Sequence, residues 1–173
     1  MMKPILYIFS GLPGTGKTTI AKGIIQAMNC VYLRIDTIEQ GLRDLCNFNI
    51  QGEGYRLAYR IASDNLHMGM SVIADSCNPI LLTRREWEDV AISSNSLYLN
   101  IEILCSDINE HKERVENRKS TIPGLKLPTW SDVQNRDYNA WGTDRLIVDT
   151  AGRTSQESIN ETLCKIKSWR VNI

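Results

Sequence analysis

Residues Gly11 to Thr18 read Gly-Leu-Pro-Gly-Thr-Gly-Lys-Thr and fill the pattern G-x-x-x-x-G-K-[ST] with no position missing. The chemistry this spacing supports is the binding of a nucleoside triphosphate. A triphosphate needs several backbone N–H groups pointing inward, and only glycines let the main chain wrap that closely. Gly14 and Gly16 supply that freedom, Lys17 reaches the β- and γ-phosphates as a point charge, and the Thr18 hydroxyl is placed to ligate Mg²⁺. Gly11, Pro13, Thr15 and Thr19 complete the expected nucleotide-contacting set, so the expected cofactors are ATP and Mg²⁺.

Acidic groups decide what the bound triphosphate is for. The run Val72-Ile73-Ala74-Asp75-Ser76 offers one acid followed by a serine. Asp75 can support the metal through its water shell, but the second acid by which mechanical ATPases polarise water is missing. The weight moves from hydrolysis to transfer. Asp149-Thr150-Ala151-Gly152 looks like the element by which GTPases sense a γ-phosphate, yet the chain has no N-K-x-D guanine-reading motif. Asp36, read as the end of a strand Val31 to Asp36, is placed where parallel sheets present ligand groups. A carboxylate there can accept the proton of an incoming hydroxyl; its other reading is an N-cap for a helix at Thr37-Ile38-Glu39. Arg114 and Arg118 lie four residues apart, so a helix puts both on one face, to clamp phosphate oxygens or stack on a base. A solvated face paired with Glu110 and Glu113 is the alternative.

Positioning these groups requires strands and helices in alternation. Apolar runs rich in β-branched residues occur at Ile5–Phe9, Val31–Ile35, Ser71–Ala74, Tyr98–Leu104 and Arg145–Val148, separated by helical patterns. This implies an α/β fold with a parallel sheet covered on both faces. The phosphate loop falls between the first strand and a helical run at Thr19–Ile25, so the helix N-terminus aims at the phosphates. Gly69 reads as a helix C-cap, and Pro79 precedes a helix from Leu81 to Ser93. Tyr55 to Asn65 reads as an amphipathic helix with Leu57, Ile61 and Ala62 inward. Residues 119–129 carry no apolar periodicity and read as a mobile lid, closed by a helix start at Thr129 or Ser131.

Bulk properties fit a single domain over residues 1–173, with a full core and one nucleotide site. Twenty Lys and Arg balance twenty Asp and Glu, so the total charge does not argue for broad binding to nucleic acid or membrane. The five scattered cysteines form no C-x-x-C pair and read as free thiols in a reducing cytoplasm. Met1-Met2-Lys3-Pro4 and the apolar run after it faintly imitate a leader, but the run is too short and ends in the phosphate loop. No transmembrane stretch is expected.

The phosphate loop, Asp36, the Ser71 to Asn78 strand, Arg84-Arg85 with Trp87, and the Arg114/Arg118 pair together resemble the small ATP-dependent kinase family that includes phage polynucleotide kinase, gluconate kinase, the zeta toxins and chloramphenicol phosphotransferase. The resemblance implies a three-layer P-loop fold with a five-stranded sheet ordered 2-3-1-4-5 and a small lid. It further implies phosphoryl transfer from MgATP to a hydroxyl of a small-molecule or nucleotide-like acceptor, with Asp36 as base and Arg118 as the lid arginine. Arg114 would lie over the adenine, and Thr150-Ala151-Gly152-Arg153 would line the base. One departure stands out. Where the polynucleotide kinase branch has an arginine one helical turn after the base, this chain has Glu39, with Arg43 a turn further on. That argues against a polynucleotide 5′-hydroxyl acceptor.

Acceptor recognition is expected from Asp36, Arg43, Asn78 and Arg85, with Arg56 and Arg60 solvated and His67 suited to a helix C-terminus. Trp130, Tyr138 and Trp141 read either as core or as a stacking surface beside the lid. The expected partner is a small molecule, with nucleic acid not favoured, no membrane, and the oligomeric state open. Two rivals remain: a toxin or antibiotic-modifying phosphotransferase using the same residues, and a nucleotide-gated binding protein or accessory ATPase that uses the lid as a switch.

Overall fold

Six consecutive buried residues form the first strand, β1 (Ile5–Ser10), and a strand buried on both faces belongs at the centre of a covered parallel sheet. The computed structural model describes residues 3–171; Met1 and Met2, which open the leader-like stretch, lie outside the described residues. The other strands are β2 (Val31–Arg34), β3 (Val72–Asp75), β4 (Leu97–Leu104) and β5 (Leu146–Asp149). All pairings are parallel and the order is 2-3-1-4-5. The connections run through α1 (Lys17–Met28), α2 (Ile35–Cys46), α3 (Glu53–His67), α4 (Leu81–Ser93), α5 (Ile108–Asn117) and α6 (Trp130–Gln134), and α7 (Ser155–Val171) follows the last strand.

Alternation along β1 divides the core in two. Tyr7 and Phe9 pack with Ile20 and Ile24 of α1 and Ile166 of α7, while Leu6 and Ile8 pack with Ala58, Ala62 and Leu66 of α3 and Trp87 of α4. The result is the three-layer α/β arrangement expected from the sequence. The inner face of α3 is made of Gly54, Ala58, Ala62 and Leu66, a period-4 stripe of mostly small residues. Ala62 is inward as expected, but Leu57 is 38% exposed. The helix is turned by about one residue because its small side chains let the backbone approach the sheet closely, and Trp87 fills the space left over.

Two further boundaries correct the sequence reading. Strand β2 stops at Arg34, whose extended backbone caps α2, so Asp36 sits in the first turn of that helix. It is neither a strand-end residue nor an N-cap, and its charge complements the helix dipole. Helix α5 ends at Asn117, leaving Arg118 in an extended C-cap conformation; Arg114 and Arg118 therefore do not share one helical face. Elsewhere the legible signals hold. Gly69 adopts φ +82° just past the end of α3, α4 spans the expected residues, and Thr129 caps α6 in a reciprocal capping box with Asp132. Residues 119–129 contain neither helix nor strand. All five cysteines are free, and among the described residues no helix is long and apolar enough to cross a membrane.

Candidate nucleotide and acceptor site

The loop between β1 and α1 is held in shape from behind. Gly11 has φ +138°, and a Cβ there would lie 2.2 Å from the Ile103 carbonyl oxygen. Its N–H donates to the Cys77 carbonyl at 3.1 Å. Gly14 has φ +89°, and a Cβ there would lie 2.5 Å from Val115 Cγ2 on α5. Both positions thus need glycine for conformation and for space. Thr15 is buried and donates to the Leu12 carbonyl at 3.0 Å, so Gly11 and Thr15 shape the loop rather than face its opening. Gly16 is the N-cap of α1 and offers no side-chain cap, which leaves the first-turn N–H groups free for an anion.

Lys17 Nζ donates to the Leu12 carbonyl at 2.8 Å, folded across the loop. Burial holds its pKa below the usual lysine value, opposed by Cys77, Asp75 and Asp36. Beside it, Thr18 Oγ1 donates to Asp75 Oδ2 at 2.7 Å, and Tyr32 Oη donates to the same oxygen at 2.7 Å. Burial, followed by the Asp75 charge and hydrogen bond, pushes the Tyr32 phenol far above its ordinary value, so it stays a donor. A hydroxyl and a carboxylate side by side are the hard oxygen donors that Mg²⁺ selects, with the remaining positions left to phosphates and water.

Lys17, Thr18 and Asp75 line one bank of a cleft of 1020 Å³, together with Pro13, Thr19 and Thr150. Thr150 Oγ1 donates to the Thr15 carbonyl at 3.0 Å, tying the turn after β5 to the phosphate loop. Asp149 accepts from the N–H groups of Ser106 and Ala151, and Gly152 N–H donates to Glu110 at 2.8 Å. The GTPase-like run is therefore a structural turn, with Ala151 and Gly152 engaged by their backbones. Arg114 donates to Thr150 Oγ1 at 2.7 Å and to the Thr150 carbonyl at 2.9 Å, and also pairs with Glu110. So anchored, Arg114 is held beside this turn, whereas Arg118 Nε and Nη2 are buried without a hydrogen-bond partner.

The opposite bank is α2 and the segment after α5. Asp36, Glu39, Gln40 and Arg43 line it, as do Arg118, Gly124 and Arg136. Asp36 is half-exposed and lies 3.8 Å from Arg34. Arg43 pairs with Glu39 at 3.3 Å, and burial holds the Glu39 pKa above the usual carboxylate value despite that partner. Gly124 passes over α2, where a Cβ would come 3.1 Å from Gln40 Nε2. Arg34 donates to Thr121 Oγ1 at 3.0 Å, so residues within 119–129 rest against α2.

Asn78 and Arg85 do not join this site. Asn78 is fully buried at φ +44° and its side-chain amide donates to the Phe9 carbonyl at 2.9 Å, which makes it a strut behind the phosphate loop. Arg85 is exposed on α4, while its neighbour Arg84 is buried and bonded to the carbonyls of Asn78, Pro79, Asn139 and Ala140. Its guanidinium lies 4.0 Å from the Trp141 ring and 4.9 Å from the Tyr138 ring, so those two aromatics are packing. Trp130 meets His111 edge to face at 5.2 Å, and His111 Nε2 donates to the Pro13 carbonyl at 2.8 Å. Arg56, Arg60 and His67 are exposed. Tyr32, Arg34, His111 and Arg136 were not singled out by sequence reasoning; only Arg34, two residues before Asp36, carried a usable signal, that of a charged residue where an edge strand gives out.

The AAA domain family matches residues 6–127. A protein of Pyrococcus furiosus named "Putative adenylate kinase" is 25% identical over 167 residues, covering 95% of this chain and 85% of that protein. Two solved structures share the fold at lower identity. The APS kinase of Mycobacterium tuberculosis, in complex with AMPPNP and APS, has a TM-score of 0.73 at 16% identity, covering 96% of this chain and 99% of that one. A gluconokinase from Sinorhizobium meliloti 1021 has a TM-score of 0.70 at 15% identity, covering 99% of this chain and 97% of that one.

Proposed function

The chain belongs to the AAA domain family, and from that premise we propose that it is an ATP-dependent phosphotransferase, moving the γ-phosphoryl of MgATP to a hydroxyl of a small-molecule or nucleotide-like acceptor. One observation carries this reading. Asp36 of α2 lines the same cleft as the phosphate loop, and its charge partly offsets the burial that lowers the Lys17 pKa. The cleft is at the upper end of ordinary ligand-site volumes, with room for a donor and an acceptor.

On this reading Lys17 exchanges the Leu12 carbonyl for β- and γ-phosphate oxygens. Asp36 accepts the proton of the acceptor hydroxyl as its oxygen bonds to the γ-phosphorus and the bond to the ADP oxygen breaks. Arg118, whose Nε and Nη2 are buried without a partner, supplies positive charge to the transferring group. Arg114 stays with Thr150 beside the base. Thr18 and Asp75 would hold Mg²⁺, which neutralises charge on the β- and γ-oxygens when bound. Residues 119–129 act as the lid that excludes water.

A second reading follows from the Pyrococcus furiosus relative's name, which points to a phosphate acceptor. An ionised phosphate needs no base, so Asp36→Asn separates the two. With labelled ATP and a panel of nucleosides, nucleotides, sugars and oligonucleotide ends, an alcohol acceptor predicts that Asp36→Asn loses at least about 100-fold in transfer rate, with ATP affinity nearly intact. If the Asp36→Asn enzyme keeps most of its activity, the base assignment is wrong.

A further inference from the structure

The cleft is far more basic than the chain. Ten of its lining residues are lysine or arginine and three are acidic, in a protein of zero formal net charge. MgATP carries about two net negative charges, so the donor alone leaves much of this excess unmatched. The cations are also divided in space. Lys17, Arg114 and Arg153 stand with the phosphate loop and the turn after β5, while Arg34, Arg118 and Arg136 stand around α2.

The second group is underused. Arg34 Nε and Arg118 Nε and Nη2 are buried and have no hydrogen-bond partner. Arg34 spends only Nη1 on Thr121, and its distance of 3.8 Å from Asp36 is too long for a hydrogen bond. Burial lowers the Arg118 pKa, Asp36 raises it, and Arg136 and Arg34 lower it again, so three guanidinium groups sit within electrostatic reach of one another. Their countercharges are Asp36, which all three cannot share, Glu39, which Arg43 already holds, and Asp132, which faces Arg136 but spends its carboxylate on the Thr129 cap. Arg34 and Arg118 bring buried N–H groups without partners and exposed Arg136 adds a third charge; such forks form a seat for a planar or tetrahedral oxyanion, and leaving the buried ones desolvated without one is costly.

We propose that the acceptor carries a phosphate group, distinct from the atom that receives the γ-phosphoryl, seated on Arg34 and Arg136 and shared by Arg118, which stands between it and the transferring group. This rests on the donor half lying at the phosphate loop, as proposed above. A doubly charged phosphate suits three guanidinium groups better than a carboxylate does, because it accepts from several forks at once.

The test is a calorimetric titration of the protein loaded with Mg²⁺ and a non-hydrolysable ATP analogue, so that the phosphate loop is already filled. The probes are inorganic phosphate, AMP, adenosine and acetate. Phosphate and AMP are expected to bind once per loaded chain, with adenosine and acetate at least about tenfold weaker. Arg34→Gln and Arg136→Gln should each weaken AMP binding by about tenfold or more, whereas Arg56→Gln, on the outer face of α3, should leave it within about twofold. Melting curves of each variant check that it folds. Absence of a bound phosphate or AMP on the loaded wild-type protein, equal binding of acetate, or AMP affinity indifferent to both arginine variants would each overturn the proposal. The two ideas fail separately. Normal transfer by Asp36→Asn with phosphate binding intact removes the base alone, and Asp36-dependent transfer to a neutral alcohol without phosphate binding removes the phosphate seat alone.

Discussion

Thr18 Oγ1 and Asp75 Oδ2 are 2.7 Å apart, joining the first turn of α1 to the end of β3 beneath the phosphate loop. Tyr32 from β2 donates to the same carboxylate oxygen, so three elements meet at one acid. Asp75→Asn keeps an amide oxygen that both hydroxyls can still use, and its stability cost should stay below about 1 kcal/mol. What it removes is the charge that faces the metal. Transfer should fall by about 100- to 1000-fold, with nucleotide affinity measured in EDTA unchanged. Single-turnover rates across a Mg²⁺ titration check this, and wild-type rates at every Mg²⁺ concentration would contradict the metal assignment.

Gly14 and Val115 show how tightly α5 is packed under the loop. In Gly14→Ala the new methyl meets Val115 Cγ2 at 2.5 Å, on a backbone with φ +89°. Two penalties add: the left-handed conformation, about 1–2 kcal/mol, and the clash. Trimming the neighbour in Gly14→Ala/Val115→Ala removes the second and leaves the first. The double variant should therefore melt above the sum of the two single effects, a positive coupling of about 1 kcal/mol. Additive melting temperatures would show that α5 yields freely.

How much of this was legible beforehand depended on whether the signal was local. The loop from Gly11 to Thr18, the five strands and the bounds of α4 follow from spacing that contiguous residues impose on themselves. The misplaced features depend on contacts distant in sequence. Leu57 faces outward because Trp87, thirty residues on, fills the place beside the sheet. Asn78 is a strut because Phe9 offers it a carbonyl. Arg136 reaches the cleft only because the chain folds back after α6. Asp36 lines the cleft from the first turn of α2 and not from a strand end, since β2 turns into α2 without a linking residue and sequence periodicity does not fix such an abrupt boundary.

Arg84 and Arg85 are neighbours with opposite consequences. Arg84 satisfies four backbone carbonyls and packs against Trp141; Arg85 is exposed. Arg84→Ala takes its donor from the carbonyls of Asn78, Asn139 and Ala140, while Pro79 keeps the Asn139 N–H, and opens space beneath Trp141, at a cost of about 3 kcal/mol. In a chain of this size that lowers the melting temperature by roughly 6–12 °C. Arg85→Ala should change stability by less than about 0.5 kcal/mol and leave acceptor KM unaltered. A raised acceptor KM in Arg85→Ala would return that residue to the site.

His111 gives the chain a pH dependence that can be isolated. Its Nε2 faces the Pro13 carbonyl at 2.8 Å; a carbonyl only accepts, so Nε2 carries a proton in the neutral and the charged ring alike. Burial lowers the His111 pKa, the Pro13 bond raises it, and Lys17, Arg114 and Arg118 lower it further. With the folded value below the ordinary one of about 6.5, the unfolded chain binds more protons in the interval between them. The histidine's contribution is therefore complete above about pH 6.5 and is lost as the pH falls through the folded value. His111→Gln retains an N–H donor for Pro13 but does not titrate, so melting curves taken between neutral and mildly acidic pH should show a shallower fall than wild type. Acidic carboxylates titrate alike in both proteins and cancel in the comparison. Saturating ATP should shrink the difference, because phosphates beside Lys17 stabilise a charged imidazole in the folded state. Parallel curves for the two proteins without nucleotide would show that His111 titrates alike in the folded and unfolded chains.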